Sequence, residues 1–140
     1  VPQARDLPAE LGRGPFTRRH ALALGLTDTQ LRGRRFRQLF RGVYVVRAQA
    51  LSLLVWTQAA LLIAPAGAVV SHHTALALWG LQLPGCHPIH LSTNQRLRLR
   101  VPGIAWHRRK HQIGCREVAG VVVTGPERTI VDLATKLPWH

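Results

Sequence analysis

Residues 27 to 46, TDTQLRGRRFRQLFRGVYVV, carry Arg32, Arg34, Arg35, Arg37 and Arg41, and no acid occurs between residues 30 and 50. Guanidinium groups at this density suit one kind of chemistry. Each presents a planar fork of donors that matches phosphate oxygens or the edge of guanine. Thr27, Thr29 and Gln30 stand just before them, and a glutamine carboxamide can pair with adenine. Thr27, Thr29, Gln30, Arg32, Arg34, Arg35, Arg37 and Arg41 are therefore the candidate contacts to double-stranded DNA. Thr29, Gln30 and Arg32 are expected to meet bases, and Arg37 and Arg41 to clamp phosphates. A charged edge can also serve only to keep a hairpin soluble, but such charge is usually mixed in sign.

The whole chain has the same bias. Nineteen Lys and Arg face six Asp and Glu, a formal net charge of +13 over 140 residues. A polyanion relieves that self-repulsion, so nucleic acid is the first partner class and an anionic membrane surface the second. The longest apolar run, LLIAPAGAVV, is broken by Pro65 and Gly67 and is too short to span a bilayer. The opening residues VPQARDLPAELGRG lack the apolar core of a signal peptide. With two cysteines in 140 residues, a cytoplasmic protein with reduced thiols is expected.

Other residue sets have types that metal binding or catalysis would use. Cys86 and His90, then His107, His111 and Cys115, recur at spacings of four and are zinc-competent types. The stretch around His107 reads as a strand, in which residues four apart lie too far along the chain to share one ion. The expectation is exposed histidines, with no metal and no cofactor. Ser71-His72-His73 invites a nucleophile reading, but Ser71 suits a helix cap and adjacent helical histidines diverge. The six acids are scattered, where a triad needs a buried orienting carboxylate and a nuclease needs clustered ones. Arg128 and Asp132 read as a structural i,i+4 pair. No catalytic residue is expected, and the chain is read as a non-enzyme.

The elements that would hold these residues follow from local patterns. Residues 3 to 12 suggest a short helix. Thr17 caps a second one bearing Ala21, Leu22 and Leu24, stopped by Gly25. Thr27 and Gln30 form a T-x-x-Q capping box for a third, with Leu31 inward and Gly33 at its end. Phe36 to Arg41 alternates, Arg41-Gly42 suits a tight turn, and Val43 to Val46 has strong strand preference. Helix, turn, helix and hairpin in that order predict a winged helix-turn-helix over residues 1–50.

Residues 51–140 predict a compact α+β domain. LSLLVWTQAALLI (51 to 63) reads as a buried helix and Ser71 to Leu78 as another. PIHLST and GIAWHR read as strands, as does the end of EVAGVVVTG. Pro126 then opens a helix whose apolar face would be Ile130, Val131, Leu133 and Ala134. Trp56, Trp79 and Trp106 are read as packing residues, and Trp139 as lying near a surface that a further segment could cover. The fold class is thus α+β, with an N-terminal winged helix-turn-helix followed by the α+β domain.

The order of these pieces resembles the actinobacterial AbiEi-like antitoxin family. The resemblance runs from Phe16 to Ala134 and rests on R-G-V-Y at Arg41 to Tyr44, V-S-H-H-T-A at Val70 to Ala75, L-W-G-L at Leu78 to Leu81, and T-G-P-E-R-T-I-V-D-L-A ending at Ala134. It implies a transcriptional regulator of a type IV toxin–antitoxin operon that represses its own promoter. A toxin would be the functional partner; separately, one small recognition helix reads only a few base pairs, so two copies on an inverted repeat are expected to supply the missing specificity. Relatives continue into a domain resembling very-short-patch-repair endonucleases. The alternative implication is therefore the DNA-binding half of such a nuclease, its catalytic domain lying beyond His140.

Overall fold

The computed structural model describes residues 7–81, 88–96, 100–110 and 114–134. The chain divides into two compact units, Val1–Ile63 and Ala64–His140. The division falls after residue 63 rather than after residue 50, because the apolar helix expected to open the second domain belongs with the first unit.

In the first unit a 3-10 turn, Ala9–Arg13, precedes β1 (Phe16–Thr17), α1 (Arg18–Ala23), α2 (Asp28–Leu31), β2 (Phe36–Phe40), β3 (Val43–Val46) and α3 (Leu53–Ile63). The expected helix over residues 3 to 12 is thus confined to its last turn among the described residues. β3 is central in a three-stranded sheet of order β1-β3-β2, antiparallel to both neighbours. Gly42 makes the hairpin turn at φ +77°, a region that a Cβ disfavours.

The alternation expected from Phe36 to Arg41 breaks in the middle. Gln38 pairs with Tyr44, but Phe40 pairs with Val43, so the register shifts at Leu39. Such a bulge turns the following side chain to the opposite face. Phe36 meets Phe16 edge-on at 5.7 Å on one face, beside Leu11, Ala21 and Leu31. Phe40 meets Trp56 of α3 at 5.6 Å on the other, the face that also carries Val43 and Val45, both buried. The apolar sequence of α3 therefore covers a sheet face with one side, burying Val55, Thr57, Ala59 and Ala60. Leu53 and Leu62 stay exposed, so the helix is not buried all round.

The second unit holds β4 (Val69–Val70), α4 (His72–Leu78), β5 (Ile89–Thr93), β6 (Ile104–Arg108), β7 (Cys115–Val118), β8 (Val121–Thr124) and α5 (Pro126–Ala134). The five strands order as β6-β5-β4-β8-β7. β4 is parallel to β8 and β5 to β6; the other two pairings are antiparallel. Two features here differ from the sequence expectation. Val69–Val70 is a strand, and EVAGVVVT folds as a hairpin of two strands, turning at Ala119 and Gly120 with φ of +50° and +84°. Because β4 and β8 run in the same direction, the helices that follow them leave the same end of the sheet and lie against each other.

α5 begins at Pro126, as its missing N–H favours. Its buried face differs from the one expected. Thr129, Asp132 and Leu133 are buried, whereas Ile130 and Val131 are 61% and 50% exposed. The register of the helix is set by polar contacts: the Thr129 and Thr124 hydroxyls lie 2.7 Å apart, and Thr129 also donates to the Gly125 carbonyl. Trp79 at the end of α4 donates its indole N–H to the Thr124 carbonyl at 2.9 Å. Asp132 receives both terminal nitrogens of Arg109, one at 3.0 Å, and the Nε of Arg128 at 3.0 Å. The Arg128–Asp132 pair expected from spacing is present, and Arg109, from the end of β6, completes it.

Asp132 is 4% exposed and the Arg109 side chain 13%, so removing one leaves the other charged and desolvated. Asp132→Ala is expected to lower stability by about 3–5 kcal/mol. Arg128→Ala, at a side chain 52% exposed, should cost under about 1 kcal/mol. Urea unfolding of the two variants measures the difference; equal losses would show that the pair with Arg109 is not the tie.

Candidate nucleic-acid interface

The arginine-rich stretch is built on two very short helices. Thr17 caps α1, its hydroxyl accepting from the His20 N–H at 3.1 Å. Gly25, at φ +96°, reverses the chain between α1 and α2. The capping box is fully formed: Thr27 Oγ1 accepts from the Gln30 N–H at 3.2 Å, and Gln30 Oε1 accepts from the Thr27 N–H at 2.8 Å. Leu31, 2% exposed, is the anchor that fixes which way α2 faces. A single helical turn has no stability of its own, so these outside contacts hold it in place.

The one acid on α2 is neutralised. Arg18 grips Asp28 with two parallel bonds, Nε to Oδ1 at 2.6 Å and Nη2 to Oδ2 at 2.8 Å. Hydrogen bonding from Arg18 holds the Asp28 carboxyl below the ordinary carboxylate range. Slight desolvation opposes the shift, while the charges of Arg18 and Arg32 add to it. The same bond pushes the Arg18 guanidinium further up. Across residues 1–63 there are ten arginines and three acids, Asp6, Glu10 and Asp28, and none of the acids lies between residues 29 and 63.

The candidate contacts divide by what else they do. Thr29, Arg32, Arg34, Arg35, Arg37 and Arg41 are exposed. Gln30 is exposed too, but its carboxamide oxygen is committed to the Thr27 N–H and to the Thr27 hydroxyl at 3.2 Å. Reading adenine with both ends of that amide would dismantle the cap, so Thr29 and Arg32 are the outward pair of α2. Arg32 makes only a long contact, Nε to the Asp28 carbonyl at 3.4 Å. Arg37 stands opposite Val45, on the opposite side of the strand from Phe36, and Arg41 sits at the turn beside Gly42. The Gly42 carbonyl accepts from the Arg18 N–H at 2.8 Å, tying the hairpin tip to the start of α1.

Two arginines have structural roles that the sequence reading missed. Arg47 donates to the carbonyls of Arg34 at 2.7 Å and Phe36 at 3.2 Å, locking the segment between α2 and β2 against the end of β3. Arg18 is the partner of Asp28. The signal was present: Asp28 is the sole acid between residues 11 and 116 and had to attract a guanidinium.

The zinc-competent residues are rearranged relative to expectation. Cys86 and His111 lie outside the described residues, as does Trp139. Cys115 is exposed on β7, the sheet edge opposite β6. His90 and His107 come together across the parallel pair β5–β6, His90 Nδ1 lying 2.8 Å from His107 Nε2. His72, read from sequence as merely following a cap, joins them: a ring nitrogen from each of the three lies within 4.8 Å of the others. Ser71 takes the N-cap position, yet its hydroxyl caps nothing. It contacts His72 Nδ1 at 2.9 Å and accepts from Ser92 Oγ at 2.7 Å.

Comparison with known proteins finds no family model and no curated protein that matches the chain. Among the described residues, no helix is long and apolar enough to cross a membrane.

The depressed Asp28 gives the first unit an acid-sensitive joint. A lowered folded-state value means that the Arg18–Asp28 link contributes above the ordinary aspartate range, near pH 4, and is lost as pH falls through the shifted value. Asp28→Asn should therefore lower the melting temperature slightly at neutral pH, the loss being small because both groups are half exposed, and the two curves should converge as pH falls through the shifted value. Curves that superimpose at neutral pH, or that keep a constant gap down to about pH 2, would refute the joint.

Proposed function

We propose that the first unit is a winged helix-turn-helix that binds double-stranded DNA, and that the chain is a transcriptional regulator similar to AbiEi-like antitoxins. The observation that carries this reading is the acid-free run of exposed arginines from Arg32 to Arg41, beside an α2 whose one carboxylate is already neutralised by Arg18. The order of elements supports it. Helix, turn and helix lie between β1 and β2, and the β2–β3 hairpin pairs back onto β1, the arrangement in which a hairpin becomes a wing.

In this reading Thr29 and Arg32 meet base edges in the major groove, Arg32 suiting guanine. Arg34, Arg35, Arg37 and Arg41 contact phosphates. Gln30 and Thr27 hold α2 in place rather than read sequence. One turn of helix reads few base pairs, so two copies on an inverted repeat, about one helical turn apart, supply the rest of the specificity. The second unit is then the part that a toxin partner would engage.

Binding to operator and scrambled duplexes at several salt concentrations tests this. With about five phosphates neutralised, log K against log salt should slope at about −4.5. Arg32→Ala should cost about 1–3 kcal/mol on the operator and relax preference at one base pair. Arg41→Ala should weaken both duplexes alike and reduce the slope by about 1. A flat salt dependence rejects DNA binding. Equal losses on both duplexes for Arg32→Ala reject sequence reading by α2.

A further inference from the structure

We propose that His72, His90 and His107 form a binding site for a divalent ion of the zinc class, supplying three of its ligands. The proposal is independent of DNA binding and rests on the second unit alone.

Three features converge. The first is placement. In the parallel β5–β6 pair His90 lies opposite Ala105 and Ser92 opposite His107, so both imidazoles rise from the same sheet face two residues apart along the ladder. His72 arrives from the start of α4 and stacks on His107 with ring centroids 3.7 Å apart and planes 17° from parallel. One ring nitrogen from each histidine falls within 4.8 Å of the other two. Around zinc at 2.0–2.1 Å, tetrahedral nitrogens stand about 3.4 Å apart. The 2.8 Å His90–His107 contact must therefore open by about half an ångström and the widest pair must close, and because imidazole lone pairs lie in the ring plane His72 must turn out of its stack on His107 when the ion binds.

The second feature is backbone strain. His72 has φ +54°, in the left-handed region that residues with a side chain seldom occupy. It is also 5% exposed, so the unusual backbone serves to hold a polar ring inside the unit rather than to turn a loop at the surface. An outlier of this kind persists where the surroundings enforce it and is concentrated at functional sites.

The third is support behind the ligand. The His72 Nδ1 to Ser71 Oγ contact is 2.9 Å, and Ser92 Oγ donates to the same oxygen at 2.7 Å. Both serines are fully buried. Metal-ligating histidines are characteristically oriented in this way, through a hydrogen bond from the ring nitrogen that does not bind the ion. With Nδ1–H donating to Ser71, His72 would ligate through Nε2. That explains why Ser71, placed to cap α4, leaves the helix uncapped.

The ligand chemistry selects the ion. Three imidazoles suit zinc, cobalt, nickel or copper, whereas magnesium and calcium require oxygen donors.

The test is a titration of the chelator-treated full chain with zinc, followed by calorimetry and by ring-nitrogen NMR of its eight histidines. One equivalent should bind and raise the melting temperature, moving the ring nitrogens of His72, His90 and His107. Cobalt should give the visible absorption of a four- or five-coordinate ion. His90→Gln and His107→Gln should each weaken zinc at least about a hundredfold, and Ser71→Ala about tenfold. His20→Gln, at an exposed position on α1, should change nothing. The proposal is overturned by absence of saturable binding, by unchanged affinity in the glutamine variants, or by zinc that shifts other histidines while these three stay still. Should a variant fail to fold, the ring-nitrogen map of the unaltered chain decides the matter.

Discussion

Carboxylates are scarce in this chain, and each compact unit is organised around one. In the second unit Asp132 sits almost out of solvent beneath Arg109 and Arg128, so one side chain joins the end of β6 to the last helix. In the first, Asp28 joins α2 to α1 through Arg18. With thirteen more positive than negative side chains, each acid offsets part of the local repulsion in its unit. The two acids act as local pins, one in each unit, and in the first unit Arg32, Arg34, Arg35, Arg37 and Arg41 stay exposed. The buried pin does not owe its value to ion pairing as such. Its strength lies in the cost of breaking it, since either partner alone would be a desolvated charge.

Much of the architecture was legible because it is decided by near neighbours. The cap at Thr17, the Thr27–Gln30 box, the reversals at Gly25 and Gly42 and the helix start at Pro126 all depend on residues within four positions. What failed was set by partners distant in sequence. The shift at Leu39 depends on Phe40 finding Trp56, which no period-two pattern in β2 can foresee. The face of α5 was misjudged because Thr129 and Asp132 have specific buried partners, and polarity alone points such residues outward. Ser71 stands before α4 as its residue type suggests, but its hydroxyl meets His72 and Ser92 instead of the helix N-terminus.

The histidines show the same limit more sharply. His90 and His107 are seventeen residues apart and meet only because β5 and β6 are parallel neighbours. Spacing along one strand speaks only for residues of that strand, and β6 ends at Arg108, while His111 lies outside the described residues. Such spacing cannot reveal a pairing across strands, nor that a reversal at residue 72 brings a third ring onto the second. For the arginines the reverse holds. Their exposure follows from the sequence pattern, while the structure removes Arg18 and Arg47 from the outward set by giving each a structural bond.

The division of labour within α2 bears on how its surface can change over evolutionary time. Thr27, Asp28, Gln30 and Leu31 hold the turn in place through the cap, the ion pair and the core. Thr29 takes no part in that work, and Arg32 contributes only a long contact to a backbone carbonyl. Substitution at these two positions therefore alters what the turn presents at little cost to the fold that presents it. A lineage carrying this scaffold can explore new surface chemistry there by single codon changes, without first acquiring a stabilising mutation elsewhere.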